Sequence, residues 1–413
     1  MATIGGISMN NSIILTEEQQ KAVDVVIQRY LNGEKYSVIA GPAGTGKSEV
    51  VRFIAAKMEG LGLEEKDIVY TSFTGKATQV LQKKGNQNTL TLHKLLFVSH
   101  PKPNGGYVNI PVTSIPYRLV FIDEISMAPK SLIQRLASYP NVYVVCCGDD
   151  QQLPPINKNE DNHLLDHPHA RLTKIMRQEE GSEIIELSRK VREKEFVDYF
   201  KGKEVQVIRK SELSTGMLQW ADQILVATNE TRKAINAQMR GLLGHGEDPE
   251  DGDKLICCRN YWEDECNGGN ALVNGTIGYL KDGYKSFVMI PGQLNKMQCG
   301  CTRQVDIVNG TFVETDGEEY KDLRMDKNMI ITGDKTLDWK TEYAISQSKI
   351  YKHLLPYEFT YGYAITVHRA QGSQWDKVLV IEENFPFNEE EHKRWLYTAV
   401  TRAAKKLVLV RPD

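Results

Sequence analysis

The chain has 413 residues, 41% of them hydrophobic and 25% charged, with 32 Gly and 15 Pro; this is ordinary for a folded protein and excludes collagen-like and largely disordered classes. No run approaches the ~18 apolar residues of a membrane span, and the opening MATIGGISMNNSIIL lacks the basic start and apolar stretch of a secretory signal. Seven cysteines with no C-x₂-C spacing read as reduced thiols rather than a zinc ribbon or a disulfide framework, so a cytosolic setting without zinc is expected.

In chain order, Glu17 to Leu31 has helical spacing behind Thr16 as N-cap, and YSVIA (Tyr36 to Ala40) is a buried strand. Helical spacing returns over Glu49 to Leu61. IVYTSF (Ile68 to Phe73), LVFID (Leu119 to Asp123) and VYVVCCG (Val142 to Gly148) read as further strands, an alternation that implies a parallel sheet with helices on its faces. Between Phe97 and Tyr117, Asn-Gly-Gly between short apolar runs predicts a β-hairpin. Leu172 to Lys194 is predicted helical, and ILVATN (Ile224 to Asn229) followed by a helix over Glu230 to Leu243 starts a second α/β unit. From about Lys254 to Leu355, short strands with Gly-rich turns predict a small all-β insertion, after which YAITVH and KVLVIEE resume the α/β pattern.

The net charge of −3 does not announce a nucleic-acid binder, but its distribution is uneven. From Ile68 to Ile122 there is no Asp or Glu, while Lys76, Lys83, Lys84, Lys94, Lys102 and Arg118 all fall inside that window. A surface built from it attracts phosphates.

Gly41-Pro42-Ala43-Gly44-Thr45-Gly46-Lys47-Ser48 matches the P-loop pattern in full, between a predicted strand and a predicted helix. Its backbone N–H groups would cradle phosphates, Lys47 would reach the β/γ-phosphates, and the Ser48 hydroxyl would hold Mg²⁺. Asp123-Glu124, ending an apolar strand about 75 residues further on, fits a Walker B pair in which Asp123 holds the metal and Glu124 polarises the attacking water.

Gly148-Asp-Asp-Gln-Gln152-Leu-Pro-Pro155, delivered to the carboxyl edge by another strand, resembles motif III of superfamily 1 helicases. The resemblance extends over nearly the whole chain. Leu15-Thr16-Glu-Glu-Gln19 is similar to the Q motif, whose glutamine reads the adenine edge and favours ATP; Gln152 would join Lys47 and Glu124 in catalysis. Leu172-Thr-Lys-Ile-Met-Arg177-Gln178 and Tyr397-Thr-Ala-Val-Thr401-Arg402 resemble the motifs that bring two arginines, Arg177 and Arg402, to the γ-phosphate. Thr366-Val-His368-Arg-Ala-Gln371-Gly372-Ser373 resembles motif V in the form typical of the RecD-like, 5′ to 3′ branch, and the chain is similar in length to that branch's compact members. Gln371 and Gly372 would link DNA contact to the nucleotide.

Phe73-Thr74-Gly-Lys76 resembles motif Ia and Thr91-Leu-His93 motif Ib; both lie in the acid-free window. The resemblance implies that Phe73, Thr74, Lys76, Thr91 and His93, with Thr366 and His368, bind single-stranded DNA, although Phe73 and His368 have ordinary structural readings too. The hairpin would carry a strand-splitting pin, with Tyr107 or Phe97 as wedge, or would only cover the core. Trp262 and Trp339 are expected in the core of the second insertion.

The fold expected is thus α/β, with two RecA-like P-loop motor domains. The first comprises 1–96 and 118–170 with the hairpin at 97–117; the second comprises 171–253 and 356–413 with an SH3-like all-β insertion at 254–355. The expected activity is an ATP- and Mg²⁺-dependent DNA helicase. Two alternatives stay open, a translocase that strips bound proteins without unwinding and a DNA-binding subunit with a relic motor. Expected partners are single-stranded DNA and single/double-strand junctions, with single-strand-binding, replication or recombination proteins as further candidates. A monomer without membrane association is expected.

Overall fold

The computed structural model describes residues 14–101, 107–176, 182–195, 197–261, 271–291, 293–294, 297–298, 303–348, 350–384 and 388–413. Its first part runs α1 (Glu17–Leu31), β1 (Tyr36–Ala40), α2 (Lys47–Gly60), β2 (Ile68–Ser72), α3 (Gly75–Lys83), β3 (Thr89–Thr91), α4 (Leu92–Leu96), β4 (Phe97–Pro101), β5 (Tyr107–Pro111), β6 (Leu119–Asp123), α5 (Lys130–Ala137), β7 (Tyr143–Gly148) and β8 (Ala170–Arg171). Six strands form one sheet in the order β3-β2-β6-β7-β1-β8, parallel throughout. Alternate residues of each strand leave by opposite faces. Val38, Val69, Val120, Ile122, Val144 and Cys146 meet α4 and α5 on one side, while Ile39, Ile68, Phe121, Val145 and Cys147 meet α1 and α2 on the other. A sheet covered twice explains why these strands read as unbroken apolar runs. Among the described residues β4 and β5 pair only with each other, as an antiparallel hairpin.

The second part begins with α6 (Glu183–Arg192), β9 (Phe200–Lys201), β10 (Val205–Arg209), α7 (Thr215–Trp220), β11 (Gln223–Val226) and α8 (Asn229–Leu243). It continues through β12 (Lys254–Cys257), β13 (Ile277–Ile290), the two-residue β14 (Gln293–Leu294) and β15 (Met297–Gln298), β16 (Arg303–Glu314), β17 (Glu319–Asp326), α9 (Lys327–Thr332) and α10 (Trp339–Ser346). β18 (Phe359–Tyr361), β19 (Ala364–Thr366), α11 (Val367–Ala370), β20 (Trp375–Ile381), α12 (Glu389–Val400) and β21 (Ala403–Arg411) complete it. A second six-stranded sheet has the order β19-β11-β20-β21-β10-β9, parallel except for the β9 edge. An antiparallel sheet, β17-β16-β13-β12-β18, forms the large insertion.

Three expectations need correction. The insertion is not all-β, because α9 and α10 pack against its sheet, with Leu337, Ala344 and Ile345 covering Val305 and Ile307. The helix predicted from Leu172 starts only at Glu183: Leu172 and Met176 give their N–H groups to Ala40 and Gly44, which holds this stretch against the P-loop. Trp339 lies at the first turn of α10 and is 40% exposed, beneath the Lys340 ammonium. Of the cysteines, Cys146, Cys147 and Cys258 are free thiols and Cys257 Sγ donates to Arg259 O at 3.0 Å; Cys266, Cys299, Cys301 and Trp262 lie outside the described residues.

Candidate nucleotide and nucleic-acid site

The P-loop joins the carboxyl end of β1 to α2, with Ala40 level with Gly148 of neighbouring β7. Gly44 and Gly46 have φ of +83° and +81°, and a Cβ on Gly46 would lie 2.3 Å from the Gln19 amide nitrogen, so this turn admits only glycine. Gly46 is the N-cap of α2 and offers no side-chain cap, which leaves the first-turn N–H groups open to an anion. Lys47 Nζ folds back onto the carbonyls of Gly41 and Pro42 at 2.6 and 2.9 Å, and Thr45 Oγ1 donates to Pro42 O. The Ser48 hydroxyl accepts from Lys84 Nζ at 3.2 Å.

The same sheet edge carries Asp123 and Glu124. Glu124 sits in the left-handed region (φ 54°), a conformation that side chains of its type seldom adopt and that turns it away from the strand direction. Burial, then the neighbouring Asp123, pushes its carboxyl above the usual range, against the pull of Arg402 and Lys47. Gln152 is 2% exposed and its Oε1 has no partner among the described residues, an orphaned acceptor at the cleft wall.

Arg402 enters from the second domain, 3% exposed and held by Thr398 O (3.0 Å), Ser373 O (3.3 Å) and Thr401 Oγ1 (3.1 Å). Two hydrogen bonds lock the domains beside it. Tyr397 OH donates to the fully buried Asp149 at 2.8 Å, and Leu153 N donates to Thr398 Oγ1 at 3.1 Å. Gln371 Nε2 adds a third, to Leu153 O at 3.3 Å. Gly372, at φ +79°, approaches so closely that a Cβ would meet that of Ala77 at 2.9 Å. The resulting cleft, about 920 Å³, is lined by Lys47, Ser48, Asp123, Glu124, Gln152 and Arg402 together. A neighbouring apolar pocket of about 320 Å³ lies between Pro42, Ala43 and Ile175 on one side and Ile184 and Tyr397 on the other.

Gln19 is placed differently from the expectation. Its Oε1 accepts from Thr16 N (2.9 Å) in the capping box of α1 and its Nε2 donates to Thr45 O (3.0 Å), so it braces the P-loop from beneath rather than presenting an edge to a base. Gln371 is buried behind the cleft, on the domain interface, instead of lining it. Arg177 and Gln178 lie outside the described residues.

On the first domain, the His93 ring stands between Phe73 (centroids 5.6 Å) and Phe97 (6.2 Å), a row of three rings in which both phenylalanines are half-buried against the core. Thr74 and Thr91 cap α3 and α4 by accepting the N–H groups of Ala77 and Lys94, which leaves each hydroxyl its own proton to donate. Lys76 is not free in this geometry. Its Nζ lies 2.6 Å from Glu314, whose side chain is 1% exposed, and Lys83 pairs with Glu314 and Asp316; this acidic turn joins β16 to β17. Sequence reasoning had no signal for that contact, since the partners are more than 200 residues apart. Among the described residues Glu314, Asp316 and Glu318 form the one carboxylate group spaced to hold a metal, and two of its members are taken by these lysines. On the second domain, Thr366 is the N-cap of α11 without a side-chain cap bond, and burial lowers the pKa of His368 two residues on. The Tyr107 backbone lies in β5; its side chain, and Asn104 to Gly106, fall outside the described residues. No described helix is long and apolar enough to cross a membrane.

A family profile described as an AAA domain matches residues 14–210, and one described as a UvrD-like helicase C-terminal domain matches 361–410. The ATP-dependent RecD2 DNA helicase of Deinococcus radiodurans is 26% identical over 94% of this chain and 48% of its own length. The ATP-dependent DNA helicase dda of phage T4 is 26% identical over 43% of this chain and 42% of its own. This chain therefore spans about half the length of the RecD2 relative. Among solved structures, Pif1 helicase from Candida albicans shares the fold at TM-score 0.54 and 18% identity, covering 97% of this chain and 94% of that one. Bacteroides Pif1 bound to single-stranded DNA does so at 0.53 and 18%, covering 96% and 92%. The profiles and the fold support superfamily 1 helicase architecture, and they single out neither the RecD-like branch nor the phage helicase within it.

Proposed function

We propose that this chain, a P-loop protein of superfamily 1 helicase type, is an ATP-dependent DNA helicase that moves 5′ to 3′ on single-stranded DNA and opens the duplex ahead of it. The observation that carries the reading is the composite cleft: Lys47, Glu124 and Gln152 come from one sheet edge and Arg402 from the other domain, across an interface closed by Tyr397–Asp149 and Thr398–Leu153. Hydrolysis that requires an arginine from a second body is coupled to how the two bodies close.

In this reading Lys47 leaves the Gly41 and Pro42 carbonyls for the β/γ-phosphates, Glu124 orients the attacking water, and Gln152 offers its unpartnered Oε1 to that water or a phosphate-bound proton. Arg402, with Arg177, stabilises the transferring phosphoryl group. Ser48 and Asp123 would hold Mg²⁺ through the hard oxygen ligands that this ion takes, and when bound it would neutralise phosphate charge there. With Gln19 engaged below the loop, the base sits in the apolar pocket between Ala43 and Tyr397. The strand runs past the Phe73–His93–Phe97 row and on to Thr366 and His368, with ring stacking and backbone contacts that require no particular sequence. The polarity rests on the RecD-like form of motif V, and the hairpin β4–β5 is the candidate pin.

Steady-state ATPase with and without single-stranded DNA, beside unwinding of duplexes with a 5′ or a 3′ tail, tests this. Strong stimulation and opening of the 5′-tailed duplex alone is the expected result. Stimulation with displacement of bound protein but no strand separation would make it a translocase, and no stimulation would overturn the reading.

A further inference from the structure

Gln19, whose amide the Q-motif resemblance aims at adenine, has both ends of that amide spent. It is buried, its Nε2 donates to Thr45 O at 3.0 Å, and its Oε1 accepts from Thr16 N at 2.9 Å. The Nε2 sits so tightly under the loop that a Cβ on Gly46 would meet it at 2.3 Å. Turning the amide toward a base would strip the Thr45 carbonyl of its partner in a buried contact, which resists the turn. Glu18 beside it accepts from Thr173 N (2.8 Å), Thr173 Oγ1 (2.6 Å) and Lys174 N (3.2 Å), tying the start of α1 to the stretch that follows β8.

The 320 Å³ pocket in which the base is seated has apolar walls in Pro42, Ala43, Ile175 and Ile184, and its polar side chains have partners of their own. Thr173 is held by Glu18 and Tyr397 OH by Asp149. Ser188 Oγ donates to Ile185 O at 2.8 Å, Thr401 Oγ1 to Thr398 O at 3.0 Å and Gln374 Nε2 to Thr401 O at 3.2 Å. The guanidiniums are taken by acids just past α6: Arg189 by Glu193 and, at 2.7 Å, Glu195, and Arg192 by Glu193 at 3.3 Å. What the pocket offers a flat ring is therefore apolar surface with the faces of Tyr397 and the arginines. Contacts of that kind respond to the area of a ring and hardly to its exocyclic amino and carbonyl groups.

We propose that this cleft accepts nucleoside triphosphates of all four common bases, gripping the triphosphate and packing the ring without reading it, and that Gln19 serves turnover only as a brace of the P-loop. The proposal rests on the helicase reading above and deepens it: the hydrolytic residues are the same and the class of fuel is wider. Magnitudes separate the two designs. A site built to hydrogen-bond its ligand rejects one lacking the matching groups by about 10⁴–10⁵-fold, whereas an apolar pocket separates ligands of similar size by about 10²-fold or less.

Steady-state hydrolysis of ATP, GTP, CTP and UTP by the full chain, with saturating oligo-dT, tests this. The four kcat/KM values should fall within about tenfold of one another, the pyrimidines lowest because a smaller ring buries less area. A wider preference for ATP overturns the inference and leaves the helicase reading standing; hydrolysis of none of the four sinks both. Gln19→Ala should lower kcat for all four by the same factor and keep the ratios of their KM values. A rise in KM for ATP alone would make Gln19 the reader of the base and overturn the proposal. The comparison of the four substrates in the parent decides even where Gln19→Ala does not fold.

Discussion

The two domains each carry basic side chains and treat their charge in opposite ways. On the first, Lys76 and Lys83 of α3 are held by Glu314 and Asp316 of the insertion, with Glu314 almost wholly buried. On the second, the nearly buried Arg232 donates to Asn229 Oδ1 and the exposed Arg369 reaches the Cys258 sulfur at 3.7 Å, and neither forms an ion pair among the described residues. An ion pair must be broken before Lys76 can meet a phosphate, whereas among the described residues Arg232 and Arg369 have none to break. One set of charges is therefore neutralised by the insertion and the other is not. The acidic turn also lines the cleft that contains the P-loop, so in the proposed reading movement of the insertion would be felt at the nucleotide site as well as at Lys76.

The comparison breaks most visibly at the cleft where the domains meet. Arg402→Gln should lower kcat by about 10³-fold or more, in line with an arginine that stabilises phosphoryl-transfer charge, while nucleotide binding, measured with a fluorescent ATP analogue, stays. Lys47→Ala should cost about 10²–10³-fold in turnover and leave oligo-dT affinity within twofold of the parent, because both basic edges remain. A Lys47→Ala protein that hydrolysed ATP at the parent rate would remove the site assignment.

Smaller effects sharpen the contrast. Tyr397→Phe removes a hydrogen bond to a fully buried carboxylate, Asp149, and should destabilise by about 1–3 kcal/mol in urea unfolding. Burial already holds Asp149 above the usual carboxylate range, and losing the tyrosine donor raises it further. Glu314→Gln with Asp316→Asn should tighten oligo-dT binding at low salt by about two- to fivefold or more, since it releases the exposed Lys83–Asp316 pair and the buried Glu314's hold on Lys76 as well, and the gain should shrink at high salt. Unchanged affinity would mean that Lys76 never meets the strand.

Much of the scaffold was legible because its signals are local. The capping box at Thr16 and Gln19, the apolar runs of β1, β6 and β7, and the P-loop each depend on neighbours within a few residues. Motif spacing likewise placed Lys47, Glu124, Gln152 and Arg402, and the structure brings them to one cleft. Leu172 to Met176 misled because its apolar spacing is compatible with a helix, while its N–H groups have better partners in Ala40 and Gly44 than in their own turn. Gln19 misled for a related reason, being claimed by a cap and a loop carbonyl at once.

What the amino-acid order by itself determined was the nucleotide chemistry and the alternation of strand and helix that delivers it, since both are written in short windows of residue type. Tertiary structure alone decided which charges are answered. Lys76 and Glu314 are 238 positions apart, yet folding pairs them, while Arg232 and Arg369 form no ion pair among the described residues. Electrostatic energy depends on distance and desolvation in space, and neither can be read from position along a chain.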